Sequence, residues 1–285
     1  MFNQKSFEND LPTLFLVSTP IGNLEEITLR AIEILKTVDI IACEDTRTTM
    51  KLLDHYDIKT QLISHHSHNE EESVNGILKL LASGKNIALV SDAGTPLISD
   101  PGNLLVNMII MEGYNVVPVS GASAVLSALI TSGLQAHPYV FHGFLPSTKK
   151  QLRRTLNEYK YFSYTMVFYV SVHKLSMTLE EMLVTFGDRK VSLAREMTKK
   201  HEHFLRGQLS KVIKEIDDLK GEFVLVVEGN PHEKEADIQE MDVQFMIDDL
   251  VEKGYSASSA IKEIASKHNL NRNKLYQDYL LRKAT

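Results

Sequence analysis

The sequence lacks the features of several common protein classes. It has 285 residues and a single cysteine, Cys43, which excludes an internal disulfide and a cysteine-rich zinc site. It contains no apolar run of about eighteen residues, so no transmembrane helix is expected. The first residues, 1–12, are polar and acidic, unlike a secretory signal. We therefore expect a cytoplasmic protein without membrane association, in which Cys43 is a small buried hydrophobic residue.

Two standard nucleotide-binding motifs are also absent, namely the glycine-rich dinucleotide fingerprint and the Walker-type lysine loop. Three short apolar runs end instead in loops of small, polar, turn-forming residues, at 18–24, 91–102 and 120–124, and a helical pattern follows each loop. The carboxyl ends of parallel strands meet at one edge of a doubly wound sheet, where open α/β folds bind ligands. The three loops therefore predict a ligand cleft, with a nucleotide-like ligand that is not NAD or ATP held by those motifs.

The loop at 91–102 carries the strongest signal. It follows the apolar run 87–90, it precedes the helical pattern of 103–111, and it holds two aspartates, Asp92 and Asp100. Its glycines and prolines fix the backbone and allow a ligand to approach closely. Two carboxylates in one such loop require a cation or hydrogen-bond donors nearby. The alternative is a tight structural turn with solvated carboxylates.

The charge is unevenly distributed along the chain. The net charge is −6 overall, but it is −8 over residues 1–145, +8 over 146–214, −11 over 215–252 and +5 over 253–285. Nucleic-acid binding needs a locally positive surface rather than a basic whole protein. The middle segment and the tail are therefore candidate RNA-binding regions, unless they are ordinary solvated helix faces.

Turn-forming residues near 142–148 indicate a domain boundary. We predict an N-terminal α/β domain with the ligand loops at 1–145, a second α/β domain at 146–229, and an acidic linker with a helix-turn-helix-like tail at 230–285. The tail could hold RNA backbone or pack as a dimer or domain contact. Within the second domain the pattern predicts strands at 165–170, 190–194 and 222–227 and helices at 174–185 and 211–219.

Seven sequence blocks, in order along nearly the whole chain, resemble the tetrapyrrole-methylase superfamily of S-adenosylmethionine enzymes. Two of them, Cys-Glu-Asp-Thr-Arg at 43–47 and Ser-Asp-Ala-Gly-Thr-Pro at 91–96, resemble its ribosomal RNA branch, the small-subunit rRNA (cytidine-2′-O)-methyltransferases. The other blocks are 17–24, 119–124, 141–146, 194–202 and 221–229.

This resemblance implies a two-domain α/β fold with a parallel doubly wound N-terminal sheet, a mixed-sheet second domain and a small helical appendage. It also implies S-adenosylmethionine as cofactor, bound in the cleft between the two domains, and a homodimer. The expected activity is 2′-O-methylation of a cytidine in 16S rRNA near the decoding centre, on naked rRNA or on the assembled 30S subunit. The resemblance assigns these residues to the cofactor: Pro20, Asp92, Ala93, Gly94, Ile98, Ser120, Ser123, Ala124, Phe144 and Ala194.

The residues that act on the acceptor hydroxyl are less clearly indicated by the sequence. A ribose hydroxyl is a weak acid, so a nearby base or cation helps its attack. We assign Asp45, Arg47 and Glu196 to the chemistry, with Glu44 and Asp100 as further candidates. Alternatively, Asp45 could cap a helix and form an ion pair with Arg47. The charged residues near Glu196 could likewise be surface ion pairs at helical spacing. The predicted RNA-binding residues are Arg153, Arg154, Arg195, Lys199, Lys200, Arg272 and Lys274.

Three histidines, His65, His66 and His68, form the single histidine cluster of the sequence. No acidic residue completes the set at ligand spacing, so no metal site is predicted, and an exposed or RNA-contacting loop is favoured. Two other functions remain open. One is methylation of a tetrapyrrole or another small molecule on the same scaffold, and the other is a non-enzymatic cofactor-sensing or ribosome-binding module.

Overall fold

The computed structural model describes residues 3–66, 70–217, 219–230, 240–267 and 270–283. The chain forms two compact units. The first consists of Met1–Lys160 and Tyr164–Glu228, and the second of Tyr161–Ser163 and Gly229–Thr285. No helix in the described part of the chain has the length and apolar character needed to cross a membrane.

The first sheet lies in the first unit and is parallel throughout, with strand order β3-β2-β4-β1-β5. Its strands are β1 (Thr13–Val17), β2 (Ile40–Cys43), β3 (Gln61–Ser64), β4 (Ile87–Val90) and β5 (Asn115–Val119). The accompanying helices are α1 (Leu29–Thr37), α2 (Thr46–His55), α3 (Glu70–Ala82), α4 (Asn103–Met111) and α5 (Ala124–Thr131).

Alternating side chains of these strands pack on opposite faces of the sheet, as the two-residue period of a strand requires. Val17, Cys43 and Val90 pack with α1 and α2 on one face. Leu14 and Leu89 pack with α3 and α4 on the other. The doubly wound parallel sheet predicted from the sequence is confirmed, and Cys43 is buried.

The second sheet also lies in the first unit. It is mixed, with strand order β6-β7-β10-β8-β9, and only β6 and β7 run parallel. Its strands are β6 (Tyr139–Phe144), β7 (Thr165–Ser171), β8 (Lys190–Arg195), β9 (His203–Gln208) and β10 (Glu222–Val227). The helices of this region are α6 (Lys149–Tyr159), α7 (Leu175–Phe186) and the single turn α8 (Leu209–Val212).

Both faces of the second sheet are covered. Phe168 and Leu225 pack with α6, α7 and α8 on one face. The other face packs against α5, where Val125 and Leu129 meet Val224. Because α5 follows β5 of the first sheet directly, it places the third ligand loop beside the second sheet.

The structure differs from the sequence prediction in three places. The predicted helix at 211–219 is wrong, because α8 ends at Val212 and a 3-10 turn covers Ile213–Glu215. The apolar spacing of this segment suits both helix types, which place every third or fourth residue on one side. The strand β9 was not predicted. Of the predicted linker, residues 231–239 lie outside the described part, and the next residue, Glu240, begins a helix.

The second unit contains three helices among its described residues, one more than the predicted helix-turn-helix. They are α9 (Glu240–Glu252), α10 (Ala257–Lys267) and α11 (Arg272–Lys283). Val243 and Ile247 of α9 pack with Ile261 and Ile264 of α10 and with Tyr279 of α11. The helical appendage predicted from the sequence is therefore confirmed as a small unit with its own core.

Candidate active site

Hydrogen bonds join the three ligand loops at the edge of the first sheet. Thr19 and Gly94 exchange both backbone bonds, with N···O distances of 2.8 and 3.0 Å. The Ser18 hydroxyl lies 3.0 Å from the Thr95 hydroxyl, and Thr95 Oγ1 donates to the Ala122 carbonyl at 3.3 Å. The loops therefore form one rigid rim rather than three independent turns.

The middle loop of this rim has an unusual backbone. Gly94 has a φ of +80°, and two non-glycine residues, Leu97 and Ser99, have φ values of +70° and +74°. Such conformations are costly for residues with a Cβ and occur mainly where the surroundings enforce them, often at ligand sites. The conformation of this loop is consistent with a binding role.

A cleft of about 460 Å³ lies between this rim and the second sheet, a size typical of small-molecule sites. The second sheet contributes the end of β7 and the start of β10, which lie side by side because these strands are antiparallel and Glu222 pairs with Ser171. The lining residues are Ile21, Asp92, Ala93, Gly94, Thr95, Ile98, Ser99, Asp100, Ser123, Ala124, Phe144, Tyr169, Val170, Ser171, Val172, Glu196, Met197, Gly221, Glu222, Phe223 and Val224.

The charge of this lining is one-sided. It includes four carboxylates, those of Asp92, Asp100, Glu196 and Glu222, and no lysine, arginine or histidine of the described residues lines the cleft. Apolar side chains such as Ile21, Ile98 and Phe144 form much of the remaining wall. By Coulomb's law a polyphosphate would be repelled here, whereas a cationic ligand with an apolar, flat portion would be favoured.

Asp100 has the most perturbed carboxyl group of the cleft. Partial burial raises the pKa of Asp100 to about 6, with additional contributions from the negative charges of Glu44 and Asp92. Opposite it, burial and the charge of Asp100 raise the pKa of Tyr169 to about 12. Asp100 therefore changes charge just below neutral pH, where a general base is most effective.

The raised pKa of Asp100 predicts a pH-dependent effect of the substitution Asp100→Asn on stability. The ordinary pKa is 3.8 and the pKa in the folded protein is about 6. The free energy of unfolding therefore falls as pH rises from 3.8 to about 6, and the whole loss of stability is present above about pH 6. The substitution is expected to stabilise the protein at pH 8 by about 1–2 kcal/mol, after discounting for solvent screening, which is a few degrees in Tm. At about pH 3, below both pKa values, the two proteins should have the same Tm.

A contrasting variant is Asp188→Asn. Hydrogen bonds from the Ser210 backbone N–H and hydroxyl to Asp188 lower the pKa of that carboxyl. Its replacement is therefore expected to lower Tm at pH 8. Equal destabilisation by both substitutions at pH 8 would show that Asp100 is an ordinary carboxylate.

Glu196 lies at the opposite side of the cleft, in the turn between β8 and β9. It accepts a hydrogen bond from the Glu222 backbone N–H at 3.0 Å, and Lys199 lies 3.3 Å from Glu196 and 2.9 Å from the Glu222 carboxylate. The backbone bond is the largest cause of a lowered Glu196 pKa. Gly221 has a φ of +110°, and a Cβ there would clash with the Glu196 carboxylate, so glycine is strongly favoured at this position. Glu196 is thus a fixed anion rather than a proton acceptor.

Asp45 and Arg47 have the geometry of the capping alternative. The Asp45 side chain caps α2 by accepting from the Arg47 backbone N–H at 2.8 Å, and the Arg47 guanidinium binds the same carboxylate at 2.7 Å. The hydrogen bond and charge of Arg47 lower the pKa of Asp45 to about 2. The Asp45 backbone N–H in turn donates to Asp92 at 3.1 Å. This pair therefore holds a cleft residue, although neither member lines the cleft itself.

The structure brings together most residues assigned to the cofactor from the sequence. Seven of them line the cleft: Asp92, Ala93, Gly94, Ile98, Ser123, Ala124 and Phe144. Three of them do not: Pro20 is half-buried in the first loop, Ser120 is exposed after β5, and Ala194 is buried on β8 opposite Val224. The assignment of these ten residues stays a prediction.

The predicted RNA-binding residues fall into two groups. Arg153 forms a two-point ion pair with the buried Glu181, Arg195 donates to the Lys220 carbonyl, and Lys199 belongs to the glutamate cluster described above. The remaining four, Arg154, Lys200, Arg272 and Lys274, are exposed, and Arg272 also donates to the Ser258 hydroxyl. Their exposure leaves these side chains accessible to phosphate.

Several cleft residues were not identified from the sequence. Tyr169, Val170 and Val172 come from β7 and the segment after it, and Gly221 and Val224 come from the start of β10. Loops at the carboxyl ends of parallel strands have local sequence signals, but no local signal shows that the start of an antiparallel strand lies at the same edge. His68 of the histidine cluster lies outside the described residues. Within the described part of the chain, no group of three or more histidines, cysteines and carboxylates is arranged to hold a metal.

Comparison with known proteins adds a second line of evidence. Residues 13–213 match the family model described as Tetrapyrrole (Corrin/Porphyrin) Methylases. A Bacillus subtilis (strain 168) protein named ribosomal RNA small subunit methyltransferase I is 46% identical over 98% of this chain and 96% of its own length. A Halalkalibacterium halodurans protein of the same name is 44% identical over 98% and 99%.

Among solved structures, uroporphyrin-III C-methyltransferase from Thermus thermophilus, complexed with S-adenosylhomocysteine, aligns with a TM-score of 0.53. The alignment has 18% identity and covers 76% of this chain and 97% of that one. At this identity the likeness establishes a common fold alone.

Proposed function

The chain belongs to the tetrapyrrole (corrin/porphyrin) methylase family and groups within it with the relatives named ribosomal RNA small subunit methyltransferase I, and from this membership we propose that it methylates small-subunit ribosomal RNA with S-adenosylmethionine. We further propose that the acceptor is the 2′-hydroxyl of a cytidine near the decoding centre of 16S rRNA. The protein then acts in the cytoplasm, as a homodimer, on rRNA or on the assembled 30S subunit.

The observation that carries the proposal is the acidic and apolar cleft. S-adenosylmethionine carries positive charges on its sulfonium and ammonium groups and a negative charge on its carboxylate, so it is a net cation, and it has a flat adenine ring. Four carboxylates line the cleft. Lys199 pairs with two of them, Glu196 and Glu222, so Asp92 and Asp100 are the carboxylates that favour a ligand of positive charge. Asp92 would hold the ammonium group, and Ile21, Ile98 and Phe144 supply apolar wall. We therefore infer that these residues fit the cofactor.

When bound, S-adenosylmethionine supplies a methyl group already activated by the sulfonium charge. The protein's own contribution is to bind both reactants and orient the acceptor oxygen, which can contribute roughly 7–11 kcal/mol to rate acceleration. The rigid hydrogen-bonded rim of the three loops suits this positioning role. The proposed catalytic residues Asp45 and Arg47 support it through the bond from Asp45 to Asp92, and Glu196 supplies a fixed negative charge.

Binding of RNA requires a positive surface outside the acidic cleft. Arg154 and Lys200 of the first unit and Arg272 and Lys274 of the second are exposed and are proposed to contact phosphate. Because each such contact releases counterions, RNA binding is expected to weaken steeply as salt concentration rises.

The proposal is tested by methylation with tritiated S-adenosylmethionine and 30S subunits purified from cells that lack this modification. A 2′-O-methyl group blocks alkaline cleavage at that ribose, so label is expected in one alkali-resistant dinucleotide that contains cytidine. The control is the variant Ala124→Trp, whose cleft is blocked.

Two other results would contradict the proposal. Label in a porphyrinogen acceptor but not in rRNA would indicate the small-molecule methylase. Cofactor binding without label in either acceptor would indicate the non-enzymatic module.

A further inference from the structure

A second, much smaller pocket lies behind the cleft. Its volume of about 10 Å³ is close to that of a single water molecule. Asp100 lines both this pocket and the cleft, and Glu44, His65 and Ser91 are among the other residues of the small pocket. Asp100 thus lines both the ligand cleft and a pocket of the size of one water molecule.

His65 gives the small pocket its chemical character. The side chain is 1% exposed, and its Nε2 is buried without a hydrogen-bond partner among the described residues. A buried polar atom of this kind costs free energy unless a ligand or a water satisfies it. The imidazole therefore needs a partner from the pocket that it lines.

The hydrogen bonds of the Ser73 hydroxyl indicate which tautomer His65 adopts. Its Nδ1 lies 3.0 Å from the Ser73 hydroxyl, and that hydroxyl donates its one hydrogen to the Ser64 carbonyl at 3.3 Å. The arrangement that keeps both hydrogen bonds has Ser73 accept from Nδ1–H, which leaves Nε2 as an acceptor. Burial also lowers the pKa of His65, against the opposing charge of Glu70, so the ring is neutral. A water in the pocket can then donate one O–H to Nε2 and the other to the Asp100 carboxylate.

We propose that Asp100 is the catalytic residue that accepts the proton of the acceptor hydroxyl, and that His65 is a positioning residue that orients the Asp100 carboxylate through one water. The inference rests on the proposed function. It differs from the assignment of Asp45, Arg47 and Glu196, because the carboxylates of Asp45 and Glu196 are committed to strong hydrogen bonds. No ion pair to Asp100 is found among the described residues.

The step is balanced as a simple displacement. The acceptor oxygen forms a bond to the methyl carbon while the carbon–sulfur bond breaks, and that electron pair stays on sulfur as a neutral thioether. The O–H electron pair stays on the acceptor oxygen, and the proton moves to an Asp100 carboxylate oxygen. After product release, Asp100 returns the proton to solvent.

The pH dependence of the transfer rate tests the proposal. The groups that face Asp100 are Glu44, Asp92 and Tyr169, and those that face His65 are Glu70 and His66. In the wild type, the single-turnover rate at saturating cofactor is expected to fall tenfold per pH unit below about pH 6, because protonated Asp100 cannot accept a proton.

The fall in rate below about pH 6 is the acid limb of the pH profile. The variant Asp100→Asn should lose this acid limb, and its transfer rate at pH 8 should be at least about 100-fold lower than that of the wild type. Its calorimetric affinity for S-adenosylhomocysteine should stay within about threefold of the wild type. This binding readout separates loss of the base from loss of the cofactor site or of the fold.

A pair of variants tests His65. His65→Asn keeps a donor where Nδ1 lies and deletes the acceptor at Nε2, whereas His65→Gln keeps a polar atom near Nε2. Without the bridging water the Asp100 carboxylate is less stabilised, so His65→Asn should shift the acid limb to higher pH and slow transfer several-fold. His65→Gln should recover much of that loss.

Three results would overturn the proposal. One is an Asp100→Asn enzyme with a wild-type rate and acid limb, and another is loss of the limb in Glu44→Gln or Glu196→Gln but not in Asp100→Asn. The third is a wild-type enzyme that binds cofactor but labels no rRNA, which would refute the proposed function itself. The first two results leave the proposed function intact.

Discussion

The substitution Ala124→Trp is expected to abolish cofactor binding while leaving the protein folded. Ala124 lines the cleft at the first position of α5, directly after the capping residue Ser123. An indole there occupies the space between the ligand loops and the second sheet without a change in the α5 backbone. We expect the Kd for S-adenosylmethionine to rise at least about 100-fold, or 2.7 kcal/mol, and methylation to fall below detection.

The matched control is Ile130→Trp on the same helix, where the side chain is 74% exposed. It should bind cofactor within about twofold of the wild type, because its ring lies in solvent. Calorimetry measures both affinities, and thermal unfolding should place both variants within a few degrees of the wild type. Normal cofactor affinity in Ala124→Trp would mean that the ligand binds elsewhere.

The largest expected loss of stability follows the substitution Arg189→Ala. Arg189 is 5% exposed and lies in the turn between α7 and β8. Its guanidinium donates to the carbonyls of Phe186, Glu228 and Lys160 and stacks 4.7 Å from the Phe186 ring. One side chain thus ties together the ends of α7 and β10 and the residue after α6.

Removal of this group leaves three carbonyls with fewer donors and opens a cavity, at an expected cost of about 3–5 kcal/mol. In a unit of this size that corresponds to a fall in Tm of roughly 8–15 °C. Arg189→Lys should lose about half as much, because one ammonium cannot reach all three carbonyls. A Tm within about 2 °C of the wild type for Arg189→Ala would show that the three bonds contribute little.

The ligand loops could be predicted because their signals are local. Each combines an apolar run, a cluster of small or turn-forming residues and a helical pattern, and parallel strands bring such loops to one edge regardless of the details of packing. This is why the loops that contain Asp92, Gly94 and Ser123 could be predicted to form a ligand cleft, which these residues do line. The individual cofactor residues, including Phe144 at the end of β6, were assigned through the family resemblance.

The rest of the site depends on contacts between distant segments. Tyr169 and Val224 meet because β7 and β10 are antiparallel neighbours, and sequence periodicity does not reveal strand order. Asp45 and Arg47 carry the residue types of catalysis, yet the fold uses them as a cap. His65 was noticed as part of a histidine cluster, but its tautomer and unpartnered nitrogen depend on Ser73, a residue of the following helix.

The most direct test of the central claim is a calorimetric titration of the wild-type protein with S-adenosylmethionine, repeated with ATP. A cleft lined by carboxylates should bind the cationic methyl donor at one site per chain, with micromolar affinity, and should give no heat with the polyphosphate. Heat with ATP and none with S-adenosylmethionine would contradict the account.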